Sequence, residues 1–212
     1  MKLYSYWRSS AAYRVRIALH LKGIAFESIA VHLVKNGGEQ HSLDYRHLNP
    51  NQLVPTLVDG QLTLNQSLAI VDYLEAKYPQ QTLYPAKLED KAKVQAFTLD
   101  IACEIHPVNN LRVQQYLVKA CGVSEQQKLQ WSHHWMAIGF AAIEKKLADT
   151  AGKYCFGDQV TVADITLVPQ VYNAKRFKLD MTPYPLILNI TDNCNQLAAF
   201  NLALPENQID AQ

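Results

Sequence analysis

The chain has 212 residues, 49% of them hydrophobic and 18% charged, with a net charge of +1 at pH 7. That length supports one or two domains with a real core, and the composition excludes a disordered chain. Balanced charge without a basic stripe or acidic tail gives no electrostatic ground for binding nucleic acid or a membrane surface, and no apolar run approaches the ~20 residues of a membrane span.

Residues 2–6 (Lys-Leu-Tyr-Ser-Tyr) read as a short strand, with nothing before them that resembles a signal peptide. A helix over 10–22 follows, with Tyr13, Ile17 and Leu21 on one face and Gly23 as its stop. Residues 26–31 form a second strand. Lys35-Asn36-Gly37-Gly38 is a loop, and a short helix runs to Leu48. Strands at 56–58 and 61–64 flank Asp59-Gly60, a strong hairpin signal, and 66–77 is a helix with Ile70, Val71 and Leu74 turned inward. The order β-α-β-α-β-β-α, a βαβ unit followed by a ββα unit, is the thioredoxin-like arrangement.

From Pro79 to Leu88 two prolines and no periodicity mark a linker, after which strand signals vanish. Long helical patterns cover about 89–119, 124–149 and 161–175, with shorter ones after Pro185. Val94, Phe97, Ile101 and Val108 mark one stripe, and Pro107 inside it predicts a kink. Thr161-Val162-Ala163-Asp164 has the form of a capping box, which makes Asp164 a capping residue and not a catalytic acid. Residues 205–212 read as a frayed tail. The expected fold is an α/β thioredoxin-like domain over 1–80, a linker at 81–88 and an all-α helical domain over 89–212.

Cys103, Cys121, Cys155 and Cys194 show neither C-x-x-C nor metal-ligand spacing, so they read as reduced thiols of a cytoplasmic protein. His133 and His134 are adjacent and fall on different helix faces, so no metal site is expected.

Chemistry concentrates at Trp7-Arg8-Ser9-Ser10, where the first strand ends and a helix begins. Such a turn presents free backbone N–H groups and the positive end of the helix. Its hydroxyls can hydrogen-bond a thiolate or another anion, and Arg8 can hold a carboxylate. A bare N-cap serine and a solvated arginine are the plain alternatives.

The stretch from Ser9 to Leu19 (SSAAYRVRIAL) resembles the zeta-class signature S-S-C-x-W-R-V-R-I-A-L of the cytosolic glutathione transferases. Asn49-Pro50, Val54-Pro55-Thr56-Leu57, Gln66-Ser67-Leu68-Ala69-Ile70, Gly157-Asp158, Val168-Pro169-Gln170-Val171, Arg176-Phe177 and Thr182-Pro183-Tyr184-Pro185 continue the resemblance across nearly the whole chain. Two positions depart from the signature: Ala11 replaces its cysteine and Tyr13 its tryptophan. Cys103-Glu104-Ile105-His106-Pro107-Val108-Asn109-Asn110 looks like the bacterial branch that acts on maleylpyruvate.

The resemblance implies the maleylacetoacetate isomerase activity of the class, a step in tyrosine and phenylalanine breakdown. Glutathione thiolate adds to a cis double bond, the bond rotates, and elimination leaves fumarylacetoacetate. It further implies that Ser9 hydrogen-bonds the glutathione sulfur, beside Ser10 and Ala11. Val54, before a cis Pro55, pairs with the extended coenzyme like an added strand. Gln66 and Ser67 bind the γ-glutamyl carboxylate at a helix start, where Asn65 is an equally good cap on sequence grounds. Gln40, His106, Asn110 and Arg112 complete the glutathione contacts, with Asn110 sharing the face of His106 at i+4. Leu111 stands where a bacterial relative has arginine. Arg8 and Arg176 clamp a dianionic substrate, whereas Arg14 and Arg16 read as helix-surface or structural residues. A homodimer is implied. The other readings are a maleylpyruvate isomerase, a general glutathione transferase or dehalogenase, and a non-catalytic glutathione-binding protein.

Overall fold

A computed structural model describes residues 1–212 as two compact units: Met1–Thr82 together with Asn195–Gln212, and Leu83–Cys194. The sequence pattern assigns the last eighteen residues to the helical half, but their contacts lie with the sheet-bearing unit.

In the first unit, strands β1 (Lys2–Ser5), β2 (Glu27–Ala30), β3 (Thr56–Asp59) and β4 (Leu62–Asn65) form one sheet in the order β2-β1-β3-β4. β2 runs parallel to β1, whereas β3 and β4 are antiparallel to their neighbours. Parallel β1 and β2 need a crossover, which helix α1 (Ser10–Leu21) supplies. Gly60, at φ +63, turns β3 into β4, a conformation free of Cβ strain in glycine. Leu3, central in β1, pairs with Leu57 of β3. Both are buried with Val15, Ile17 and Leu19 of α1 and Ile70, Val71 and Leu74 of α3 (Ser67–Lys77). Helix α2 (Leu43–Leu48) precedes the hairpin.

The second unit holds α4 (Leu88–Leu99), α5 (Leu111–Lys119), α6 (Glu125–Thr150), α7 (Val162–Arg176) and α8 (Pro185–Asn195). Residues of α7 from Val162 to Val171 are all buried, the polar Asp164, Thr166 and Gln170 included, so this helix forms the core of the bundle. The Asp164 carboxylate accepts from the Thr161 N–H and hydroxyl and from the Cys155 N–H, closing the capping box. Complete burial pushes its pKa up despite those bonds, and burial beside Asp164 pushes the Cys155 thiol up. Buried thiols of this kind are poor nucleophiles.

The expected single kinked helix over 89–119 is instead three pieces. Wide π turns at Asp100–Ile105 follow α4, then a 3-10 turn at Pro107–Asn109, then α5. The break thus begins before Pro107: the His106 N–H reaches back five residues to the Ile101 carbonyl. A Cβ on Gly139 of α6 would lie 2.3 Å from the Ile105 side chain, so glycine allows the π turns to approach.

The tail at 205–212 is not frayed. Pro205 is buried and starts a 3-10 turn, Ala211 packs on the cluster of Tyr6, Trp7, Val31, Tyr45 and Val54, and Asp210 accepts a bond from the Trp7 N–H. In the same unit α9 (Ala198–Ala203) packs against α1. No helix is long and apolar enough to cross a membrane, and no cluster of His, Cys, Asp and Glu could hold a metal ion.

Candidate functional site

At the end of β1 the chain turns through Trp7-Arg8-Ser9 into α1. The Ser9 N–H closes the turn on the Tyr6 carbonyl at 2.9 Å. Ser9 is the N-cap, and its oxygen accepts from the Ala12 N–H at 3.2 Å. A hydroxyl carries one proton and two lone pairs, so capping uses an acceptor and leaves the proton for an anion. Capping and anion binding therefore coexist at Ser9. Ser10 is buried at the first helical position, and Ala11 follows it. Arg8 is exposed, with its guanidinium 4.0 Å from the centre of the Trp7 ring. That stacking gives a long flexible side chain a preferred position.

The Val54-Pro55 peptide is cis, as the sequence reading expects. Its loop is organised by two side chains to which the sequence reading gives no role. Asn49 donates to the Leu53 carbonyl at 2.8 Å and to Thr56 Oγ1 at 3.1 Å. The Tyr45 hydroxyl donates to the same carbonyl at 2.7 Å, and burial raises its pKa. Asn65 does not cap α3; it ends β4, and its amide donates to Asn49 Oδ1. Gln66 is the cap instead, at φ +68 and ψ 113, a backbone conformation that costs a non-glycine residue of order 1–3 kcal/mol. No side chain caps α3, which begins at the buried Ser67.

Gln40, in a 3-10 turn at Glu39–His41, is buried rather than solvated. Its Nε2 donates to the Leu33 carbonyl, while its Oε1 has no hydrogen-bond partner. Trp7 Nε1 is likewise buried without a partner. An orphaned buried acceptor suits a peptide ligand that brings its own N–H groups.

Arg14 and Arg16 are not on the helix surface; they are 2% and 0% exposed. Arg16 donates to Ser5 Oγ, to the Tyr6 and Trp7 carbonyls and to the Ala203 carbonyl, tying α1 to the strand end and to α9. The carbonyls at those chain ends need donors, and a guanidinium supplies several at once. Arg14 Nη1 donates to Ser67 Oγ at 3.4 Å, placing a buried cation at the start of α3.

In the second unit, His106 is half-buried after the π turns. Asn110 is extended and caps α5 through a bond from the Arg112 N–H, so the helical i+4 relation between His106 and Asn110 does not hold. The Arg112 side chain is exposed. Arg176 ends α7, donating to Asn173 Oδ1 at 2.9 Å with its guanidinium 4.3 Å from the centre of the Phe177 ring. It lines a cavity of about 600 Å³ with Gln114, Lys128 and Ser132.

A thioredoxin-like sheet followed in one chain by an all-helical unit is the architecture of the cytosolic glutathione transferases. Residues 3–82 match the family description "Glutathione S-transferase, N-terminal domain", and 139–199 match "Glutathione S-transferase, C-terminal domain". A probable maleylacetoacetate isomerase of Vibrio cholerae is 53% identical over 209 residues, covering 99% of this chain and 97% of that protein. The holo structure of a maleylpyruvate isomerase, a bacterial zeta-class glutathione transferase, superposes with a TM-score of 0.97 at 45% identity, covering both chains fully. A maleylacetoacetate isomerase from Methylobacterium extorquens AM1, solved with malonate and glutathione bound, gives a TM-score of 0.96 at 35% identity, again covering both chains fully. The chain belongs to the glutathione S-transferase family, in its zeta class.

Proposed function

We propose that the protein is a glutathione-dependent cis–trans isomerase that converts maleylacetoacetate to fumarylacetoacetate. The observation that carries this reading is the turn into α1, where the Ser9 hydroxyl caps the helix and keeps its proton, next to an Arg8 guanidinium stacked on Trp7. When bound, glutathione supplies the thiolate that adds to the cis double bond and leaves once the resulting single bond has rotated. Ser9 donates to the sulfur, and the Ser10 and Ala11 N–H groups add the positive end of α1, which favours thiolate over thiol. Ala11 gives the turn no thiol of its own, so the chain activates a borrowed one.

The backbone of Val54, before Pro55, takes the cysteinyl segment as an added strand would. Gln66 and Ser67 take the γ-glutamyl carboxylate at the N-terminus of α3, and the Gln40 oxygen accepts an N–H of the ligand. His106, Asn110 and Arg112 are assigned to the same ligand on resemblance. Arg8 and Arg176 hold the carboxylates of the substrate and offset the negative charge that gathers on it during reaction. On resemblance, the protein works as a cytoplasmic homodimer.

Incubating the protein with glutathione and maleylacetoacetate tests this directly, with fumarylacetoacetate as the expected product. A second reading, maleylpyruvate as substrate, is favoured by the full-length likeness to a maleylpyruvate isomerase. The two substrates assayed in parallel separate them. Turnover of neither, with conjugation of a neutral aromatic electrophile instead, overturns both.

A further inference from the structure

The backbone of Trp7 is held from both sides by groups distant from it in sequence. Its N–H donates to Asp210 Oδ2 at 3.1 Å, across 203 positions. Its carbonyl accepts from Arg16 Nη2 at 3.1 Å, and Arg16 Nε in turn donates to the Ala203 carbonyl at 3.1 Å. The C-terminal segment therefore reaches this one residue twice, directly through Asp210 and indirectly through Arg16.

The segment is itself anchored. Gln208 Nε2 donates to the Leu202 and Leu204 carbonyls, the Ala211 N–H closes on the Gln208 carbonyl, and Ala211 packs on the cluster that contains Trp7. What Trp7 carries is the reactive end of the turn. The Arg8 guanidinium stacks on its ring, and the Ser9 N–H bonds to the carbonyl of Tyr6, the residue before it. Trp7 is 4% exposed, so a lost partner for its N–H would be costly to replace with water.

We infer that Asp210 is a positioning residue for glutathione activation: it fixes Trp7 and so sets where the Arg8 guanidinium and the Ser9 hydroxyl stand. The inference rests on the glutathione-binding part of the proposed function and not on the identity of the maleyl substrate. What the turn requires of residue 210 is an acceptor for the Trp7 N–H. An asparagine oxygen meets that requirement and an alanine does not.

The test uses the full chain, with D210A and D210N. The ultraviolet absorbance of the thiolate of bound glutathione is titrated against pH without substrate, and melting temperatures are taken beside it. The expected result is that D210A titrates at higher pH than wild type, by about half a pH unit or more, with kcat/KM for the maleyl acid falling roughly three- to tenfold at neutral pH. D210N stays within about twofold of wild type, since the hydrogen bond survives. The inference is overturned if D210A titrates like wild type and only melts lower, if it fails to fold, or if D210N is impaired as much as D210A. A wild-type protein that acidifies bound glutathione but turns over no maleyl acid overturns the isomerase reading and leaves this one standing. A wild-type protein that does not acidify glutathione overturns this one as well.

Discussion

The Arg14 guanidinium of α1 donates to the Ser67 hydroxyl at the first position of α3, at 3.4 Å. This contact joins the two helix starts that the proposed glutathione site uses. α1 begins at the turn assigned to the sulfur, and α3 begins where the γ-glutamyl carboxylate is assigned. A buried cation with a donor on Ser67 raises the positive potential at that second start beyond what the helix end supplies.

Replacing Arg14 by methionine keeps most of the side-chain volume and removes the charge. The expected outcome is a loss of glutathione affinity of about tenfold or more by calorimetry, the size expected of a charge-assisted contact. Affinity for cysteinylglycine, which lacks the γ-glutamyl carboxylate, should change by less than about twofold. Equal losses for the two ligands would show that Arg14 serves only the fold.

Ser9→Ala separates the two duties of one oxygen. Loss of the cap costs about 1 kcal/mol of stability. Loss of the donor costs on the order of 100-fold in kcat/KM at neutral pH. With that donor gone, the thiol of bound glutathione ionises at higher pH, so the thiolate fraction near neutrality drops. Raising the pH refills it, so the activity deficit of the variant should shrink toward alkaline pH. A deficit that stays constant from neutral to alkaline pH would remove Ser9 from thiolate stabilisation.

The sheet and its hairpin are legible because their signals are local. Short apolar runs define β1 and β3, and Asp59-Gly60 fixes the turn between β3 and β4. The anion-binding turn is legible for the same reason, since strand end, hydroxyls and arginine are neighbours in the chain. What escapes sequence reading depends on partners far along it. Arg16 reads as a helix-surface or structural residue, and only the Ala203 carbonyl, 187 positions away, decides for the structural role. The tail looks frayed until Asp210 meets Trp7. The break at 100–110 escapes for another reason. The apolar stripe runs through it, and widened π turns shift its phase so that Ile105 is buried and Val108 only half-buried.

That break depends on a small residue facing it. The Cβ of Gly139→Ala would lie 2.3 Å from the Ile105 side chain, one residue before His106. Either Ile105 changes rotamer or α6 backs away from the π turns. We expect a destabilisation of about 1–3 kcal/mol in urea unfolding, as for overpacked cores generally. The double variant with Ile105→Val, which trims the opposing side chain, should recover part of it. An unchanged unfolding midpoint in Gly139→Ala would show that Ile105 moves aside freely.

His20, near the end of α1, gives the fold a dependence on pH. Burial and, second to it, the Arg16 charge lower its pKa below the ordinary 6.5, and its ring meets Phe26 edge-on at 5.4 Å. Between the lowered folded value and 6.5 the unfolded chain binds more protons at this residue than the folded one. Stability from this group is therefore complete above 6.5 and declines as pH falls through that window. His20→Gln cannot take up the proton, so the variant should lose less stability than wild type between about pH 7.5 and about pH 5.5. Urea unfolding at several pH values reads the difference, in which the carboxylates and other histidines common to both proteins cancel. Parallel curves for the two proteins would show that His20 protonates as readily in the folded chain as in the unfolded one.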